Sequence, residues 1–287
     1  MKRFCCALLL LTCPLLSALA QTGDNAMFWK ISGHGLQQPS YLMGTMHVLC
    51  KGDAPFTPAQ LDALKNTEAL YLEIKMDDPN MQADLIQALK LKDGETIKDK
   101  FRPADLALAA AYFRDSLHTD LEQLLSQFKL FLPSAMLISK MLPCSPQSSL
   151  ETDLMLAAKK LGHPVLGLET VAAEMASIDE VPDSIQVQSF MRTVSDMDLA
   201  RDEIRRMREA YLHQRMDSLV AAALENEIDA KETKYLTVKR NQNWMPVIEK
   251  AIHERPVFIA CGALHLATED GLLLLLRKAG YTLTPVR

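Results

Sequence analysis

Two segments at opposite ends of the chain share one pattern. Tyr41-Leu42-Met43-Gly44-Thr45-Met46-His47 and Phe258-Ile259-Ala260-Cys261-Gly262-Ala263-Leu264-His265 each run from apolar residues into Gly-x-x-His. A buried strand that ends this way delivers an imidazole to the rim of a sheet, and its glycine permits close backbone approach. The two histidines are 218 positions apart, so gathering them requires a sheet that joins distant segments. A nearby carboxylate would then complete a divalent-ion site.

The first twenty residues read as a signal peptide. Lys2 and Arg3 form a positive start, Ala7 to Leu16 is apolar, and Ala18-Leu19-Ala20 precedes Gln21 as a small-x-small cleavage site. An uncleaved anchor or lipidation is the alternative, but Cys13 lies between Thr12 and Pro14, a poor lipidation setting. Nothing after residue 20 approaches the roughly 18 apolar residues of a membrane helix. The chain is therefore expected to be exported, periplasmic or secreted, as one domain over residues 21–287. Removing Lys2 and Arg3 from 31 basic residues leaves 29 against 36 acidic ones, a net charge of -7. No basic cluster offsets this, which argues against a nucleic-acid partner.

Cleavage would leave Cys50, Cys144 and Cys261. Cys144 lies in the loop-like Leu142-Pro143-Cys144-Ser145-Pro146, and Cys50 closes the first histidine segment. Cys261 lies inside an apolar strand, where a thiol behaves as a small hydrophobe. An oxidising compartment permits one bridge, and Cys50–Cys144 is the expected pair.

Residues 27–31 and 40–48 read as strands joined through His34-Gly35 to Pro39, and 69–75 as a third. Residues 79–161 are helical in pattern, Val165 to Leu168 is a short strand, and 184–254 reads as two or three long helices with a wet face. Strand 256–261, helix 268–279 and strand 281–286 close the chain. The fold class is mixed α/β, a sheet built from both ends of the chain around a large helical middle.

Several residues could carry chemistry. His265 precedes Thr268, a candidate helix cap, and a helix N-terminus would keep its imidazole neutral. As a ligand at a pocket rim it would support little packing, so His265→Ala is expected to leave the melting temperature unchanged. By strand alternation Glu73 reads as solvent-facing. Glu169 stands where a strand meets a helix, a common place for functional groups. Arg240 and Asn241 read as a wet helix face. The other five histidines (His34, His118, His163, His213 and His253) lack a comparable setting, and no His-Glu-x-x-His or Gly-x-Ser-x-Gly motif occurs.

Gly44-Thr45-Met46-His47, Ala69 to Glu73, Gly167-Leu168-Glu169-Thr170, Arg240-Asn241, Gly262-Ala263-Leu264-His265 and the closing Gly280 to Val286 together resemble the TraB/GumN family, which is related to the Tiki proteases. The resemblance spans the chain after the leader, with the elements in the family's order. It implies a divalent-metal-dependent peptidase. His47, His265 and Glu73 would be metal ligands, and Glu73 or Glu169 would serve as base. Arg240 would steady developing negative charge, and Asn241 would position a peptide or protein substrate. Manganese or cobalt follows from the resemblance; two imidazoles and a carboxylate also suit zinc or iron. The competing readings are a non-catalytic peptide-binding or signal-sequestering protein and, from the family name alone, a role in surface-polysaccharide production.

Overall fold

The protein is described by a computed structural model over residues 25–92, 94–267 and 270–286. The expected signal peptide, the Thr268 cap and Glu269 lie outside these residues. Eight strands occur among them: β1 (Phe28–Gly33), β2 (Ser40–Thr45), β3 (Leu49–Cys50), β4 (Ala69–Leu72), β5 (Gln147–Ser148), β6 (Val165–Gly167), β7 (Val257–Gly262) and β8 (Tyr281–Pro285).

Six of them form one mixed sheet in the order β6-β4-β7-β2-β1-β8, and β3 pairs with β5 apart from it. β1 and β2 are an antiparallel hairpin. Their turn passes through Gly33, His34 and Gly35 at φ 79°, 45° and 80°, a left-handed path that glycine takes without steric cost. β7 lies parallel to both its neighbours, β2 and β4, and β4 is parallel to β6. Central parallel strands are covered on both faces and so read as unbroken apolar runs; Val257 to Cys261 are all buried. At the edge, β8 alternates instead, with Tyr281 and Leu283 inside and Thr282 and Thr284 outside.

The core lies between this sheet and the helices against it. Leu150, Leu154 and Ala158 come from helix Leu150–Lys160, Trp244, Ile248 and Ile252 from helix Glu227–Glu254, and Leu272 and Leu276 from helix Leu272–Lys278. Burying one such large apolar side chain contributes about 1.5–3 kcal/mol. The helical middle has its own cluster, including Phe101, Phe113, Leu125, Leu137 and Phe190. Among the described residues no helix is long and apolar enough to cross a membrane.

The mixed α/β architecture is as expected, with several boundaries moved. The strand expected over residues 40–48 stops at Thr45, where the chain leaves the sheet, and the separate β3 follows at Leu49–Cys50. β4 stops at Leu72 rather than at residue 75. Region 184–254 holds four helices rather than two or three. Where one closing helix over 268–279 was expected, the described residues form a four-residue turn, Leu264–Ala267, and helix Leu272–Lys278. Cys50 and Cys144 stand as a disulfide with Cα atoms 5.7 Å apart, and Cys261 is free and buried.

Candidate functional site

The four parallel strands β6, β4, β7 and β2 end along one side of the sheet. Their continuations carry Glu169, Glu73, His265 and His47 respectively. Pairing runs slightly past the strand ends: Glu169 N–H donates to the Glu73 carbonyl at 2.9 Å, and Ala263 N–H to the Thr45 carbonyl at 2.9 Å. In open α/β sheets the crevice beyond the carboxyl ends of the strands is where ligands bind.

The glycines of the two motifs act differently. A Cβ on Gly44 would stand 3.0 Å from the Ala263 Cα, so Gly44 lets two backbones pass. A Cβ on Gly262 would meet the His47 Nε2 at 3.0 Å and a Glu73 oxygen at 3.3 Å, so Gly262 leaves room for side-chain ends. Its N–H also donates to Glu73 Oε1 at 2.6 Å.

Both imidazoles are oriented through Nδ1. His265 Nδ1 is 2.7 Å from Asn241 Oδ1, while the Asn241 Nδ2 donates to the carbonyls of His265 and Asp270 at 3.1 and 2.9 Å. With the amide's donors used there, His265 Nδ1 must carry the proton. His47 Nδ1 lies 2.7 Å from Glu151 Oε1, an acceptor that also receives the Thr45 hydroxyl at 2.5 Å. Both Nε2 atoms therefore face Glu73, His47 at 3.7 Å from Oε1 and His265 at 4.0 Å from Oε2.

Arg240 binds the group together. Its Nη2 lies 2.6 Å from Glu73 and 2.5 Å from Glu169, with Glu174 at 3.5 Å, and its Nη1 reaches His265 Nε2 at 3.3 Å. The guanidinium sits 4.8 Å from the centre of the Trp244 ring, and His265 packs on the same ring at 4.4 Å. Arg240, Asn241 and Trp244 share one buried face of helix Glu227–Glu254.

These contacts move the titrations apart. Burial works against the ionised form of Glu73, but the charges of His265, His47 and Arg240 and the Gly262 N–H outweigh it and hold the carboxyl at about 2. Desolvation lowers the His265 pKa to about 4, against the pull of Glu73 and with Arg240 assisting. At neutral pH His265 is therefore uncharged, and the positive charge beside Glu73 belongs to Arg240 and His47. For His47 desolvation lowers the pKa, yet the hydrogen bond and charge of Glu151, then Glu73 and Glu174, raise it overall. Its side chain is 60% exposed, and solvent screening tempers that rise. Burial pushes Glu174 up to about 7, with Glu73 and Glu169 adding to the rise and Arg240 opposing it. Glu169 is likewise raised by burial despite Arg240.

Three expectations are corrected here. Glu73 is buried rather than solvent-facing, because β4 has ended and the chain turns into the crevice. Arg240 and Asn241 are buried, not a wet face, since the long helix turns that stripe inward. His265 is only 5% exposed and stacked on Trp244, so it supports packing, and His265→Ala should cost stability with or without metal. Its neutrality comes first from desolvation. Sequence reasoning missed Glu151, Glu174 and Trp244. Glu151 and Glu174 follow the helix caps Ser149 and Thr170 and look like ordinary first-turn acids. The spacing of Thr237, Asn241, Trp244 and Ile248 was a readable signal of a buried stripe.

A sequence profile described as the TraB/PrgY/gumN family matches residues 27–285. No curated protein and no solved structure matches the chain.

Proposed function

This chain belongs to the TraB/PrgY/gumN family, and from the geometry of its site we propose that it is a divalent-metal-dependent hydrolase acting on peptides. One observation carries the reading. Two imidazoles, each with Nδ1 occupied by an oxygen acceptor, turn both Nε2 atoms toward one carboxylate. Hydrogen-bonding the far ring nitrogen is how proteins orient histidine ligands.

The donor set suits a cation of the manganese, cobalt, zinc or iron type. Among the described residues no group of three or more His, Cys, Asp or Glu stands in an arrangement that could hold a metal ion, so the side chains must shift to take one up. Arg240 also donates toward the His265 lone pair, so ion uptake requires that contact to yield. His47, His265 and Glu73 would hold the ion. When bound, it would acidify water and polarise a carbonyl.

The remaining residues supply the rest of the chemistry. Glu73, held ionised by Arg240 and the Gly262 N–H, serves as a ligand rather than a base. Glu174, titrating near neutrality, is suited to exchanging a proton, with Glu169 the alternative. Arg240 would steady an oxyanion in this reading, and Asn241 fixes the His265 tautomer. Because His47 must lose its proton to become a ligand, uptake should strengthen as pH rises. Export to a periplasm or outside the cell belongs to the same proposal, supported by the leader-like N-terminus and the cysteine pair.

The Arg240–His265 contact favours a second reading, peptide binding without turnover, since the cluster already holds an internal cation. A peptide-library digest separates the two. Cleavage that chelation abolishes, that Mn²⁺ or Co²⁺ restores and that His47→Ala removes supports the hydrolase. His47 is the appropriate knockout because its ring is exposed and its loss disturbs little packing. Peptide capture without turnover, unchanged by chelation, overturns the hydrolase in favour of the binder.

A further inference from the structure

Packing does not set the ring of His47. Whereas His265 is buried against Trp244, the His47 side chain is 60% exposed. Its orientation comes from the bond to Glu151, and Glu151 is fixed independently. That carboxylate is 5% exposed, in the first turn of helix Leu150–Lys160, whose Leu150, Leu154 and Ala158 lie in the core. Its Oε2 is buried without a hydrogen-bond partner. A half-satisfied buried carboxylate is costly and calls for an explanation beyond packing.

The two partners are strapped together beside this bond. Cys50 lies three residues after His47, and Cys144 lies seven before Glu151. Next to their disulfide, Leu49 pairs with Ser148, Cys50 pairs with Gln147, and Lys51 N–H donates to the Pro146 carbonyl at 3.2 Å. Two isolated strands are marginal in water even at full hairpin length, and this ladder has two residue pairs. Beyond Cys50 the chain is held by the Arg208–Asp53 ion pair, which ties it to helix Met197–Leu212 and not to the Glu151 side.

We propose that Glu151 is the positioning residue that turns His47 Nε2 toward Glu73, and that the Cys50–Cys144 disulfide makes this hold conditional on oxidised sulfurs. The inference rests on the hydrolase reading only for what the positioned ring is used for. Reduction by a water-soluble phosphine delivers two electrons and, with two protons from water, converts the disulfide to two thiols. The phosphine leaves as its oxide, carrying the water oxygen. The chain between His47 and Cys50 then keeps its short ladder to the Glu151 segment and the buried Leu49 side chain, while the Thr45 hydroxyl still reaches Glu151 from the strand before it.

The test follows the ring protons by nuclear magnetic resonance in histidine-labelled protein, with His47→Ala to assign the signal. The His265 Nδ1–H, held by Asn241, serves as an internal control for the fold. Phosphine treatment, with thiol titration rising from one cysteine to three, should abolish or shift the hydrogen-bonded His47 Nδ1–H signal and leave that of His265 in place. The double variant Cys50→Ser/Cys144→Ser should do the same. Glu151→Ala should lose the signal, whereas Glu151→Gln should retain a weaker bond to a neutral acceptor. Calorimetry with Mn²⁺ should show an affinity loss of about 10–100-fold on reduction, the usual size of an outer-shell effect. An unchanged His47 signal after verified reduction overturns the proposal. So does simultaneous loss of the His265 signal, which would make the disulfide a general staple. If Mn²⁺ binds neither form while the His47 signal is lost, the metal reading fails and this one stands. If Mn²⁺ binds both forms equally and the signal persists, this one fails and the metal reading stands.

Discussion

Glu174→Gln is expected to stabilise the protein, although it removes a negative charge 3.5 Å from a buried arginine. Burial raises this carboxyl from 4.5 to about 7, because desolvation and the charges of Glu73 and Glu169 outweigh Arg240. The sign follows from proton binding. Below pH 4.5 the carboxyl is protonated in both folded and unfolded chains and costs nothing. Between 4.5 and 7 the unfolded chain releases the proton and the folded chain keeps it, so stability falls as pH rises. Above 7 the penalty is complete. A tenfold difference in proton affinity between the two states is worth about 1.36 kcal/mol, so the rise from 4.5 to about 7 sets an upper bound of about 3.4 kcal/mol. The side chain is 23% exposed and shares Arg240 with two neighbours, so we expect about 1–3 kcal/mol. Glutamine keeps the size and one acceptor oxygen. Urea denaturation of both proteins at pH 4.5, 6, 7 and 8 should give curves that nearly coincide at the lowest pH and separate progressively above it. A variant less stable than the parent at pH 8 would refute the reasoning, since the Arg240–Glu174 pair would then be net attractive.

Arg240→Met should be among the most damaging single changes, because it leaves Glu73, Glu169 and Glu174 without their buried cation. Removing one partner of a buried pair costs about 3–5 kcal/mol. The deficit in urea unfolding should be largest at pH 7 and should shrink toward pH 5 as the freed carboxyls take up protons. The motif glycines should separate stability from function. Gly262→Ala meets only side-chain ends that can shift, so it should unfold within about 1 kcal/mol of the parent while losing ion uptake and cleavage. Gly44→Ala meets the backbone of Ala263 and should lose about 1–3 kcal/mol by overpacking. Equal denaturation midpoints for the two variants would contradict this assignment.

The histidine pair was legible because each glycine ends a short apolar run, and a run of that length closed by glycine reads as a buried strand. The cysteine pair was legible from its loop settings. Glu73 was not, because alternation assumes that the strand continues, and β4 ends one residue before it. Arg240 and Asn241 were hidden by the polar average of a 28-residue helix, in which a short inward stripe is outvoted by the charged remainder. Glu151 and Glu174 carry no mark in the sequence that distinguishes a site carboxylate from one that complements a helix dipole.

The position of β7 has a consequence for how the molecule is made. This strand is second to last in the chain, yet it stands between β4 and β2. Until it arrives, the β4–β6 pair and the β1–β2 hairpin share no ladder, and each presents an open edge where β7 belongs. Closing a contact across more than two hundred residues is slow, and open edges invite pairing with other chains during the wait. Glu73 and His47 likewise have no fixed relation before that insertion. The site is therefore a product of the last folding events, and a chain truncated before Val257 should lack both the central sheet and any ordered relation between its two histidine-bearing rims.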